Sequence, residues 1–237
     1  MKKAICLFML LGGLFLAVNP VLAKSWPISK LPYTIKSPGL YYLTGNLNAA
    51  SGAGIIVFSD DVTIDLLGFR LQGNTDNIAI HMKTVNDVAA KNVEVRNGTI
   101  RGWKIGVAAS GLDGHYRVIN IRVRDNSYGG IMFESGGNLI KDCTITDTQN
   151  AIWVGGGVVT GNVITNCGSG IWCMSFGPSL PSSIIGNVVT NTGDQVGINL
   201  NDIAPLMVDQ NSVGDGFTFP GAGPATVWGT NAGGPSP

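Results

Sequence analysis

Residues 130–174 read GIMFESGGNLIKDCTITDTQNAIWVGGGVVTGNVITNCGSGIWCM, and three times a small residue is followed by two apolar residues in alternation. The three runs are Gly130-Ile131-Phe133, Ala151-Ile152-Val154 and Gly170-Ile171-Cys173. Outward from this stretch the pattern recurs at Gly54-Ile55-Val57, Ala79-Ile80-Met82, Gly106-Val107-Ala109 and Gly197-Ile198-Leu200. The intervals along the seven runs are 25, 27, 24, 21, 19 and 27 residues. A repeat of this period means stacked supersecondary units that share one continuous core.

A second register agrees with the first. Apolar residues five apart occur once per repeat, at Leu66/Leu71, Val95/Ile100, Val118/Val123, Ile140/Ile145, Val159/Ile164, Ile184/Val189 and Val208/Val213. Two residues after each first member stand Gly68, Asn97, Asn120, Asp142, Gly161, Gly186 and Gln210. Six of these seven are Gly, Asn or Asp, the types that tolerate a left-handed backbone at a bend. The next position carries Asn162, Asn187 and Asn211 in three consecutive repeats, amides able to hydrogen-bond one another when stacked. Each repeat therefore reads as three short strands, each pairing in parallel with its counterpart about 4.8 Å along the axis.

On these residues the chain resembles the right-handed parallel β-helix proteins of pectate-lyase-like fold, over roughly residues 54–216. The expected fold is an all-β, single-stranded solenoid of about seven coils. The segment Leu31-Pro32-Tyr33-Thr34-Ile35-Lys36-Ser37-Pro38-Gly39-Leu40-Tyr41-Tyr42-Leu43-Thr44-Gly45-Asn46-Leu47 looks like the leading segment of exported bacterial members. Residues 24–53 are therefore expected to cap the open edge of the first coil. The solenoid is expected over 54–219, followed by a flexible Gly/Pro-rich tail at 220–237, with Trp228 placed to fold back over the end.

Residues 1–23 read as a secretory signal peptide: Met1-Lys2-Lys3 is basic, Ala4 to Val18 is apolar and Val21-Leu22-Ala23 offers small residues for cleavage. The expected location is secreted or periplasmic, with no membrane span once the leader is removed. The 237 residues carry equal numbers of acidic and basic side chains and only 13% are charged, so nothing points to nucleic acid. Cys143, Cys167 and Cys173 lack any metal-binding spacing; they read as small buried side chains, with a Cys167–Cys173 bridge left open.

Insertions fall in one place. The connection from the small residue to the second strand takes 8 to 16 residues, whereas the return from the third strand takes 6 to 8. The long connections, Lys83–Asn92, Ser110–Tyr116 and Met174–Ser183, flank the outside of the first strand, the usual rim of a binding face.

Alternation places Ile56, His81, Ala108, Met132, Trp153, Trp172 and Asn199 outward in one column and Phe58, Lys83, Ser110, Glu134, Gly155, Met174 and Asn201 in the next. Trp153 and Trp172 on adjacent coils can stack on sugar rings and offer N–H groups to hydroxyls. Cover by a loop or the tail, and a subunit contact, are the other two readings of this pair. The binding candidates are accordingly Trp153, Trp172, Ser110, Asn199 and Asn201, and the expected partner is a polysaccharide or cell-surface glycan. His81, Lys83 and Glu134 are the catalytic candidates; Lys83 and Glu134 stand two coils, about 10 Å, apart. Asp113, His115 and Tyr116 lie in the adjoining loop and are expected to lean over them. Ordinary solvated polar residues is the alternative reading of all six.

Two further columns carry charge. Asp65, Glu94 and Arg117 are expected on consecutive coils, as an ion-pair ladder or, in the other reading, around Ca²⁺, for which no specific motif exists; no other cofactor is implied. Arg101 and Arg124 stack directly with Arg70 and Arg122 beside them, a basic patch for acidic sugars or phosphate, or for pairing with Asp125 and nearby acids. Thr146, Thr165 and Thr190 continue that column as a threonine ladder.

The resemblance implies polysaccharide lyases, hydrolases, esterases or epimerases as relatives, yet fold alone does not transfer activity. The polygalacturonase set of paired Asp, His-Gly and Arg-x-Lys is absent, as are the Asp-His signature of extracellular pectate lyases and the Asp-Pro-His-Asp of alginate epimerases. Asp60-Asp61 reads as a coil corner. The reading is an exported β-helix protein that associates with polysaccharide along the first sheet, with no catalysis evident. A small lyase or hydrolase acting on acidic glycan is one alternative; a structural or assembly module with the aromatic face as subunit contact is another.

Overall fold

The structure, a computed structural model, describes residues 24–74, 76–85, 88–111, 114–174, 182–193, 196–201, 206–214, 217–218, 226–228 and 230–232. The expected leader lies outside them. What they form is a parallel β-solenoid without helix. The first strands of successive coils make one parallel sheet, nine strands among the described residues, running from Tyr33–Ile35 to Phe217–Thr218. Second and third strands together make the other sheet, with 16 strands among the described residues. Among the described residues one antiparallel pair, Thr84–Val85 with Val88–Ala89, sits inside the long connection after His81.

The expected registers hold. Ile131 pairs with Ile152, Ile152 with Ile171 and Ile171 with Ile198, so the apolar member of each run stacks on the next. All fourteen apolar residues of the second register are buried to 1% exposure or less. The small residue that opens each run has a steric cause. A Cβ built at Gly54, Gly106, Gly130 or Gly170 would stand 2.0–2.6 Å from a carbonyl oxygen of the next coil. The coil turns so tightly there that two backbones touch.

Each of the seven bend residues, Gln210 included, has a positive φ, between 53° and 81°. In coils two and three (numbered from Gly54) the bend does not interrupt pairing, so Val93–Arg101 and Arg117–Arg124 are single strands kinked at Asn97 and Asn120. Two further corners use the same device: Asp61, Asn92, His115 and Gly137 before the second strand, and Gly102, Asp125, Asp147, Asn166 and Asn191 after the third. Short polar side chains at these places satisfy neighbouring backbone while the main chain turns.

One register differs from expectation. Val95 pairs with Ile64, not Leu66, because the first coil inserts Leu66-Leu67-Gly68 as a wider corner with Leu67 at φ 48°. Leu66 is buried all the same, where a Cβ on Gly98 would stand 2.3 Å from the Leu66 Cβ.

The ends are also built. Residues 24–53 coil with the rest: Ser25–Ile28 pairs with Gly39–Leu43, and Leu47–Asn48 with the third strand of coil one. Trp26 stacks on Tyr41 at 4.9 Å between ring centroids and 13° between planes, closing that end. Within residues 220–237, Thr226–Trp228 adds a further rung on Leu206–Asp209.

The amides at the bend form the most regular polar feature. Asn162 donates from Nδ2 to Ile140 O (3.0 Å) and to Asn187 Oδ1 (2.9 Å). Asn187 repeats this with Val159 O and Asn211, and Asn211 with Ile184 O and Asn231. Each Oδ1 also accepts the backbone N–H of the preceding coil. Asn162, Asn187 and Asn211 are at most 1% exposed, so every link replaces water for a buried group. Asn187→Ala is expected to lower the unfolding free energy by about 3 kcal/mol, since it orphans the Asn162 N–H and the Val159 carbonyl. Thr190→Ala, in the exposed threonine ladder of the same coil, is expected to change it by about 0.5 kcal/mol or less; urea unfolding of both variants checks the contrast.

Candidate functional site

The outward column of the first sheet has the order the alternation requires: Ile56 pairs with His81, His81 with Ala108, Ala108 with Met132, Met132 with Trp153, Trp153 with Trp172 and Trp172 with Asn199. Side-chain size along that column shapes the surface. Ala108 is the one small member of the set, between His81 and Met132, and the sheet dips over it. The result is a groove of about 210 Å³ lined by His81, Ala108, Ser110, Met132, Glu134 and Trp153, with Ile78, Ile105, Ala109 and Phe133 completing its walls. Four sequence-derived candidates thus share one hollow. Lys83 follows the His81 strand beyond the groove's lining and faces His81 electrostatically.

His81 is half-buried, and burial chiefly, with the nearby Lys83 charge second, holds its imidazole below the usual histidine value of 6.5. At neutral pH it is an uncharged ring able both to donate and to accept a hydrogen bond. Ser110 and Glu134 are exposed at the rim, the first a hydroxyl and the second an acceptor. A neutral floor with polar groups at its lip suits a hydroxyl-rich ligand.

The two tryptophans are tilted against each other. Their centroids are 6.2 Å apart with planes tilted by 55°, both rings are half-buried, and both Nε1 atoms are covered from solvent. Flat rings in register one rung apart would stack face to face; tilting avoids the unfavourable overlap of their negative faces. Trp153 belongs to the groove, whereas Trp172, Asn199 and Asn201 continue past it on coils six and seven. Asn201 is exposed and pairs with Met174.

The loop candidates are distributed differently from expectation. Tyr116 is fully buried and packs on Phe133 at 5.0 Å beneath the groove, so it cannot lean over it. Its backbone N–H is held by Asn138 Oδ1, and Asn138 in turn is buried. His115 is exposed at the corner that opens the second strand. Asp113 and most of the Met174–Ser183 connection lie outside the described residues.

Asp60-Asp61 is a corner, as read: Asp60 accepts the Lys91 N–H at 2.8 Å and Asp61 accepts from Asn92 Nδ2. The charged column is shifted by the wide first corner. Asp65 stands opposite Arg96, and Glu94 opposite Thr63 and Arg117. Arg96 lies between the two carboxylates, at 2.8 Å from Asp65 and 3.0 Å from Glu94, and Arg117 holds Glu94 at 2.9 Å. This is the ion-pair ladder; Arg96 occupies the space between carboxylates that a cation would need. No group of three His, Cys, Asp or Glu able to hold a metal occurs among the described residues. Cys143, Cys167 and Cys173 are buried and free, so no bridge joins the last two. Burial pushes the Cys143 thiol up to about 11.

Stacked parallel coils, αL corners and a grooved first sheet define a parallel β-solenoid of single-stranded type. The chain belongs to the family described as the right handed beta helix region, whose pattern matches residues 46–213. No curated protein and no solved structure matches it significantly.

An NMR titration of the histidines is expected to place the His81 midpoint below 6.5, and Lys83→Ala to raise it by removing one of its two causes. The folded value lies below the unfolded one, so the folded state binds the proton less readily. Its contribution to stability is whole above 6.5 and is lost as pH falls through the folded-state midpoint.

Proposed function

We propose that the protein is exported and associates with polysaccharide through the groove on the outer face of its first sheet. The observation that carries this reading is the hollow itself, in which an aromatic ring, a neutral imidazole, a hydroxyl and a carboxylate converge on an apolar floor. The Trp153 ring edge supplies contact to the carbon-bound hydrogens of a sugar, and Ser110, His81 and Glu134 supply partners for its hydroxyls. A rigid sheet holds these groups, so little ordering entropy is lost on binding. Export is supported by the basic, apolar and small-residue succession in residues 1–23.

Retention in native gels cast with a panel of neutral and acidic polysaccharides tests the reading. Trp153→Ala is expected to weaken retention about tenfold, with no shortening of the polymer by the unaltered protein. Retention unaffected by Trp153→Ala and by Ser110→Ala together rules out the groove.

A second reading, a small lyase or hydrolase of acidic glycan, is favoured by one observation. His81 is held uncharged beside a groove that also contains Glu134, the arrangement a general base with an acid across a cleft requires. Polymer shortening that vanishes in both His81→Ala and Glu134→Gln would establish it. Shortening that survives both places the chemistry elsewhere. The subunit-contact reading predicts instead that Trp153→Ala alters the size of the particle in solution and leaves glycan retention unchanged.

A further inference from the structure

The outward face of the third strands, on the other sheet from the groove, carries an arginine field. Thr99 pairs with both Arg70 and Arg122, and Arg101 pairs with Gln72 and Arg124, so four guanidinium groups interleave over coils one to three in two adjacent columns. Rungs are about 4.8 Å apart. Arg96 and Arg117, on the second strands, are taken up by Asp65 and Glu94. The four on the third strands are not. Asp125 is the one carboxylate paired with them among the described residues, at 3.1 Å from Arg101 and 3.9 Å from Arg124.

Two further observations point outward. The Nε atoms of Arg70 and Arg101 are covered from solvent and have no hydrogen-bond acceptor among the described residues. Arg122 and Arg124 are exposed, and Arg122 pairs with no carboxylate among the described residues. The neutral neighbours Gln72, Thr99, Thr144 and Thr146 leave this excess uncompensated on the face itself. Like charges stacked on adjacent rungs are destabilising. With Asp125 shared between Arg101 of coil two and Arg124 of coil three, the four arginines keep a net charge of three over the first three coils of this face. The charge excess therefore averages one per coil along the solenoid axis in a chain whose net charge is zero.

We propose that this face binds a sulfated polysaccharide laid along the axis. The complement of one positive charge per coil is a polymer bearing one singly charged group per unit, which a sulfate monoester supplies at every pH the protein meets. Its three free oxygens accept from several guanidinium forks at once, whereas a carboxylate has two oxygens and Asp125 already fills that role for Arg101 and Arg124. The field lies on a different sheet from the groove, so the two associations are separable.

The test measures affinity of the purified chain for immobilised dextran sulfate, with dextran as the uncharged backbone and polygalacturonate and duplex DNA as competing polyanions at the same salt. Dextran sulfate is expected to retain the protein and dextran to let it pass. The double variant Arg122→Gln with Arg124→Gln, both exposed positions, is expected to bind at least tenfold more weakly with an unchanged melting temperature. Arg122→Lys with Arg124→Lys keeps the charge and loses the forks, and is expected to recover less than half of that loss. Trp153→Ala is expected to leave dextran sulfate affinity intact, whatever it does at the groove. Equal binding of polygalacturonate or DNA, full recovery by lysine, or loss through Trp153→Ala with the arginine variants unaffected would overturn the proposal.

Discussion

Backbone hydrogen bonding between parallel coils fixes the rung spacing at about 4.8 Å, and every other feature of the molecule answers to that distance. A side chain in such a stack has its counterparts immediately above and below. Apolar residues gain from this, which is why the inward columns are nearly all aliphatic and buried. Amides gain when donor meets acceptor, as in the run from Asn162 to Asn231. Charges gain only when they alternate in sign. Arg96 between Asp65 and Glu94, and Asp125 against Arg101 and Arg124, are local answers to that demand.

The corners obey a second constraint, because the chain must turn without giving up its rung. Left-handed residues accomplish this at up to three places per coil among the described residues, and in coils two and three the strand runs straight through one of them. Where Asn or Asp occupies the corner, its side chain adds a link to the next coil, as Asn120 does to Asn97 and Asn191 to Asn166. The corner that tolerates insertions is the one beside the first sheet. The groove lies along that edge because the regular parts of the coil leave no room for variation elsewhere.

Strict periodicity made much of this readable in the chain. Ile131, Ile152, Ile171 and Ile198 could be stacked from spacing alone, and so could the Arg124, Thr146, Thr165 and Thr190 column. What escaped lies where spacing carries no information. Leu66 and Ile64 are both apolar and two apart, so the wide first corner could not be told from an ordinary one, and the partner of Asp65 shifted with it. Ring orientation is set by neighbours in three dimensions, so the tilt of Trp153 against Trp172 and the inward turn of Tyr116 were invisible. Asn231 sits 20 residues past Asn211, a spacing that matches the shortest repeat intervals, and that signal was available. The hollow over Ala108 was also available, as the small residue between two large ones in a known column.

The two halves of the solenoid are held by different physics, and the surface chemistry follows the division. Coils one to three are joined across their second strands by partly exposed ion pairs, which contribute little individually and weaken with salt. Later coils are joined by the buried amide ladder, whose links are insensitive to salt because no net charge is involved. The third strands of the amide-laddered coils carry Thr165, Thr190, Val163 and Val188 outward. The arginine field lies on the third strands of the ion-paired coils. The groove starts there at His81 and reaches the amide-laddered coils at Trp153. A ligand spanning the groove meets the His81 imidazole at one end and the Trp153 indole at the other, with the Glu134 carboxylate between them.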